Sequence, residues 1–192
     1  MGVKPKDIIY ANPCKTKSYI THAASVGVNR MTFDNELELL KISKLHPHAK
    51  MVIRIKVDDS HSVCKFSIKF GADMENVPKL LDLAKDLGID VVGVSFHVGS
   101  GCESAESWNL AIRNAKTVFE IAKEIGFNFN LLDIGGGYPG TKEGHVEIED
   151  IFTVINRSLN VYFPQYLPDG SFNPVEIIAE PGRYYVSYYI IN

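Results

Sequence analysis

Apolar residues fall in short dense runs that alternate with longer stretches whose apolar positions recur at helical spacing. The short runs, rich in Val and Ile, predict strands over residues 8–11, 30–33, 51–57, 91–96, 131–134 and 175–179. The longer stretches predict helices over 17–25, 35–45, 77–87, 105–125 and 148–163. Asp34-Asn35-Glu36 has the chemistry of a helix start, and Gly88 and Gly126 stand where a C-terminal cap belongs. The unbroken run Val91-Val92-Gly93-Val94 implies a strand buried on both faces, as in a parallel sheet covered by helices. The polar stretch 58–69 reads as a mobile loop over the strand ends, and Pro168-Asp169-Gly170 as a turn.

Strict alternation of strand and helix defines an α/β fold, either a barrel or a doubly wound sheet. Residues with chemical potential stand at the C-terminal ends of several strands: Arg54, His97 to Gly101, Gly135 to Gly137, and Glu180 to Arg183. An open sheet gathers such residues at one switch point, whereas a barrel spreads them around its rim. The expectation is a partial (β/α)8 barrel of about six of the eight strands, cut at both ends.

Composition narrows the partners. The chain has 192 residues, 45% hydrophobic and 22% charged, with a formal charge of −3, so it carries no electrostatic footprint for nucleic acid. Its apolar runs are far shorter than a membrane helix, and residues 1–7 lack a signal-peptide pattern. Cys14, Cys64 and Cys102 are odd in number and show no paired spacing, which points to a reducing, cytoplasmic setting.

Gly135-Gly136-Gly137 ends one strand, and Glu180-Pro181-Gly182-Arg183 ends another. Glycine lets backbone N–H groups approach an anion, and the tips of the last two barrel strands are the usual phosphate site. A phosphorylated small molecule or cofactor is the implied ligand. Gly135 to Gly140 also satisfies a dinucleotide fingerprint, but Pro139 delays any helix, and no acidic residue closes the next strand at the required distance. Each residue has a plainer role open to it. The glycines can form a simple turn, His97 can be a core residue, and Glu180 can be an ion-pair partner of Arg183. Arg54, charged within an apolar run, must pair with something.

Tyr10-Ala11-Asn12-Pro13-Cys14-Lys15, Met31-Thr32-Phe33-Asp34, Phe96-His97-Val98-Gly99-Ser100-Gly101, the triple glycine and Glu180-Pro181-Gly182-Arg183-Tyr184-Tyr185 together resemble the eukaryotic ornithine decarboxylase family. The resemblance is colinear over nearly the whole chain. It implies an alanine-racemase-like barrel followed by a C-terminal β-domain, pyridoxal 5′-phosphate as cofactor, L-ornithine as substrate and putrescine as product. By resemblance, His97 stacks on the pyridoxal ring and Glu180 partners its nitrogen. Ser100, Gly135, Gly136, Gly137 and the segment Glu180, Pro181, Gly182, Arg183 hold the phosphate, with Arg54 beside the cofactor.

The family's cofactor-bearing lysine lies in an early Tyr-Ala-Val-Lys-type motif that has no counterpart here, and neither Lys56 nor Lys69 matches it. The C-terminal domain is likewise expected to be absent, leaving residues 1–192 as an incomplete barrel domain without activity of its own. The resemblance further implies a homodimer in the full-length form, and antizyme as a partner. An antizyme-inhibitor-like binding protein is the alternative. Such proteins characteristically lose cofactor residues, which this chain retains. A bacterial diaminopimelate or arginine decarboxylase relative fits the last two motifs but not Tyr10 to Lys15.

Overall fold

The computed structural model describes residues 2–140 and 146–190. Its strands are β1 (Ile9–Tyr10), β2 (Arg30–Phe33), β3 (Lys50–Arg54), β4 (Ser62–Cys64), β5 (Asp90–Ser95), β6 (Ser100–Cys102), β7 (Leu131–Asp133) and β8 (Glu176–Ile178). The helices are α1 (Lys17–Ser25), α2 (Glu36–Leu45), α3 (Val77–Asp86), α4 (Glu106–Ile125), α5 (Ile148–Tyr162) and α6 (Gly182–Ile190). β1, β2, β3, β5, β7 and β8 form one parallel sheet in that order, so each successive strand lies beside the last. This sequential order in a curled sheet is a half barrel, as the spread of candidate residues over several strand tips predicts.

Local chemistry sets the helix ends. Asn35 caps α2, its side-chain oxygen accepting the Glu38 N–H at 3.0 Å, with Glu36 and Glu38 in the first turn where the dipole favours acids. Gly126 ends α4 in the left-handed region at φ 106°. Between β5 and β7 the backbones approach so closely that a Cβ at Gly93 would lie 2.1 Å from the Leu131 carbonyl oxygen. The sheet packs its apolar side chains against the helices through Phe33, Met51, Ile53, Phe96 and Trp108, each at most 1% exposed.

Two features differ from the sequence reading. Residues 58–69 are not merely a loop: β4 pairs antiparallel with β6, Ser62 opposite Cys102 and Cys64 opposite Ser100. The stretch is pinned from within by Asp59, 3% exposed, whose carboxylate accepts the Phe66 and Ser67 N–H groups and the Ser67 hydroxyl. Short polar strands with a distant partner leave no periodic trace in the sequence. The segment after β8 is also more than a strand tip, since α6 begins at Gly182 itself.

Candidate functional site

The expected site residues converge at the C-terminal ends of β3, β5, β7 and β8. Arg54 is the last residue of β3, opposite Ser95 of β5, which stands opposite Asp133 of β7. His97 follows β5, Ser100 opens β6, the three glycines follow β7, and Glu180 to Arg183 lead from β8 into α6. Gly136 lies at the centre: a Cβ placed there would come within 2.7 Å of both the Glu180 carbonyl oxygen and His97 Nε2. Gly135, at φ 60°, has no space either, its Cβ position lying 1.9 Å from the Phe96 carbonyl oxygen. At Gly137, φ 120°, the corresponding atom would meet Val98 Cγ2 at 2.4 Å. The triple glycine is therefore demanded by close packing of the turn against the β5 tip, and the plain-turn reading does not account for it.

The rest of the rim is tied to this turn. The Cys102 N–H donates to the Gly137 carbonyl at 2.9 Å, which fixes the β4–β6 ribbon to the glycines. Arg183 Nε donates to the Ser100 hydroxyl at 2.7 Å, joining α6 to the same ribbon. The Glu180 N–H donates to the Gly135 carbonyl at 2.7 Å. Pro181 carries the chain from Glu180 into Gly182, which is exposed and has open space around its Cβ position. Of the glycines expected at the site, Gly182 alone owes nothing to crowding.

Electrostatics divide the rim. Burial pulls the Arg54 guanidinium below its usual value, against the opposing pull of Glu180, Asp34 and Asp133. The same guanidinium lies over the Phe70 ring, 5.1 Å from its centroid. Arg54 thus lies in the field of three carboxyl groups and over one aromatic ring. Burial raises Glu180 while Arg54 opposes the rise.

Burial and the Arg54 charge push His97 down to about 4, with Asp59 opposing. The Gly99 N–H donates to His97 Nδ1 at 3.0 Å, so the neutral ring carries its proton on Nε2, the atom facing Gly136. The Phe66 ring, held by the Asp59 turn, meets His97 edge-on with centroids 4.9 Å apart. Because His97 is depressed from 6.5, its contribution to stability is full above that pH and is lost as pH falls towards about 4. His97→Gln is therefore expected to flatten the acid side of the Tm-against-pH curve across this window. An unaltered acid limb would contradict the burial of a neutral imidazole.

Sequence reasoning missed Asp133, Ser95, Asp59 and Phe66. Asp133 had a usable signal: it is a charged residue inside the apolar run Leu131-Leu132-Asp133-Ile134, the same anomaly that marks Arg54. Asp59 and Phe66 had none, because their roles depend on how the polar stretch folds back on itself.

A side-chain-free turn, a serine–arginine pair and the first residues of a helix after the last strand form the kind of rim on which β/α barrels hold phosphate. The aromatic imidazole and the carboxyl groups beside it suit a planar heteroaromatic ring attached to that phosphate. The class defined is a β/α-barrel domain for a phosphorylated heteroaromatic cofactor.

The comparisons specify the family. A model described as pyridoxal-dependent decarboxylase, pyridoxal binding domain, matches residues 1–187, and the chain belongs to this family. It is similar to ornithine decarboxylase of Rattus norvegicus, 53% identical over 187 residues covering 97% of this chain and 39% of that protein. It is equally similar to antizyme inhibitor 2 of Xenopus laevis, 53% identical over 97% of this chain and 40% of that protein. The solved arginine decarboxylase of Paramecium bursaria Chlorella virus aligns with TM-score 0.86 at 38% identity, covering 96% of this chain and 47% of that one. The chain thus spans about 40% of the length of the curated relatives it matches. No helix among the described residues is long and apolar enough to cross a membrane.

Proposed function

We propose that this chain forms the pyridoxal 5′-phosphate floor of an ornithine decarboxylase, acting in the cytoplasm on L-ornithine to give putrescine. The observation that carries the reading is the meeting of His97, Glu180 and the crowded glycine turn around Gly136. The phosphate belongs on Gly135 to Gly137, Ser100 and the segment Glu180, Pro181, Gly182, Arg183. The neutral His97 ring covers one face of the pyridine as the catalytic stacking group, Glu180 faces its nitrogen, and Arg54 balances the acids. Pyridoxal phosphate, when bound, supplies an electron sink for the pair left on Cα as the carboxylate departs as CO2. The protein's part is to orient that ring, to exclude water from it, and to hold a carboxylate where the ring nitrogen needs a proton. Assembly as a homodimer belongs to the same reading.

The test is a graft of residues 1–187 into Rattus norvegicus ornithine decarboxylase in place of its matching segment. The graft is expected to release CO2 from L-ornithine when supplied with pyridoxal phosphate. A folded graft without turnover that still captures antizyme would favour the antizyme-inhibitor reading, which the equal identity to antizyme inhibitor 2 keeps in view. Ser100→Ala in the graft removes the acceptor of Arg183 Nε and should weaken pyridoxal phosphate about fivefold, with little change in pyridoxal affinity. Equal losses for both ligands would remove Ser100 from the phosphate set.

Antizyme would dock on α1 and α2, whose outer surface exposes Tyr19 (62%) and Leu37 (78%). Leu37→Asp should reduce antizyme capture by the graft about fivefold or more. Undiminished capture would move the docking face elsewhere.

A further inference from the structure

The floor of the site holds more carboxyl groups than cations to balance them. Asp133 is 0% exposed at the end of β7. Its Oδ1 accepts the Gly135 N–H at 2.9 Å, while its equally buried Oδ2 meets no donor among the described residues. The buried hydroxyl of Ser95, its cross-strand neighbour, also lacks a partner among the described residues. Glu180 is drawn alongside because its N–H bonds to the carbonyl of Gly135, whose own N–H is bonded to Asp133. The charged and titratable groups that sense Asp133 are Glu180 beyond β8, Arg54 of β3 and Tyr138 beyond its own strand. One guanidinium is therefore shared among Glu180, Asp34 and Asp133, and of these Asp133, a dry anion with half its acceptors empty, is the costliest to keep.

We propose that Asp133 is carried as the neutral acid, so that Glu180 is the single ionised carboxylate of the floor and the one presented to a pyridine nitrogen. The proposal rests on the pyridoxal reading of the site and makes Asp133 a positioning residue that acts through Glu180. Protonation removes the charge from an enclosed carboxyl whose Oδ2 meets no donor among the described residues, and with it the cost of keeping a dry anion there. Both carboxyls feel the attraction of Arg54, but Asp133 is fully enclosed and keeps the proton, whereas Glu180 retains some exposure. The two groups titrate as a pair, in steps that belong to both. Burial pushes Asp133 up to about 7, the Glu180 charge adds to the rise, and the Gly135 N–H and Arg54 offset only part of it. Since the folded value lies above the ordinary 3.8, this group's stabilisation is full below that pH and is lost as pH rises towards about 7. Its sign is opposite to that of His97 over an overlapping range.

The experiment follows the side-chain carboxyl carbons of the chain, labelled with 13C-aspartate, by NMR as a function of pH. Asp133→Asn identifies the resonance by deleting it. In the parent that resonance should titrate near 7, and Glu180→Gln should lower its midpoint by about one unit or more. A midpoint among those of exposed aspartates overturns the proposal. Pyridoxal phosphate binding is measured in parallel by fluorescence. Asp133→Asn is neutral and can still accept the Gly135 N–H, so it should bind within about twofold of the parent, whereas Asp133→Ala should bind about fivefold more weakly. An asparagine variant as weak as the alanine variant overturns the proposal as well. If the parent binds no pyridoxal phosphate, the pyridoxal reading fails by itself, while the carboxyl titration still decides the protonation state of Asp133.

Discussion

Glu180→Ala, made in the graft, is expected to lower kcat for ornithine about a hundredfold or more, while pyridoxal phosphate affinity falls by less than about tenfold. A carboxylate facing the ring nitrogen contributes most where charge develops during loss of CO2, and much less to holding the resting cofactor. The fold is compatible with such a role, because the Glu180 backbone is tied to Gly135 at 2.7 Å and the Arg54 charge opposes the rise that burial imposes on its carboxyl. The separation between kcat and cofactor affinity is what matters. Equal losses in both would make Glu180 an ordinary binding group. Glu180→Gln, which keeps the shape and removes the charge, should fall nearly as far as alanine in kcat.

The largest effect on stability is expected at Gly135. Alanine there would have to adopt φ 60° with its Cβ 1.9 Å from the Phe96 carbonyl oxygen, against backbone that cannot yield as a flexible side chain would. Left-handed strain and overpacking together should cost about 3–5 kcal/mol, measured by urea unfolding of the chain. Gly182→Ala is the internal control: with open space around its Cβ position it should change stability by about 0.5 kcal/mol or less. A tolerated Gly135→Ala would mean that the turn after β7 packs less tightly against the β5 tip than described.

The sheet was legible because both-face burial writes itself as dense Val and Ile runs, and all six of its strands fall where those runs lie. Some strands are shorter than their runs: β8, read over 175–179, is paired only at Glu176–Ile178. Val175 and Ala179 belong to the apolar run but not to the ladder. The β4–β6 ribbon was hidden for the opposite reason, since Ser62, Cys64, Ser100 and Cys102 carry no apolar alternation and find each other only across the chain. At the site, Arg54, the glycines and Glu180 were visible as local anomalies or motifs. Their convergence was not, because Gly136 meets His97 and Glu180 only once β5, β7 and β8 lie side by side. Asp133 shows the limit most clearly. Its position was anomalous in the sequence, but its meaning depends on an oxygen left without a donor in the folded core.

The most direct test of the central claim is titration of the chain with pyridoxal phosphate, followed by 31P NMR and by the ring resonances of His97, with pyridoxal and inorganic phosphate as comparisons. Saturable binding that shifts both the phosphorus signal and the His97 ring is expected, with pyridoxal phosphate bound more tightly than either comparison ligand. A His97 ring that does not respond to pyridoxal phosphate, or pyridoxal binding as tightly as its phosphate, would contradict the claim.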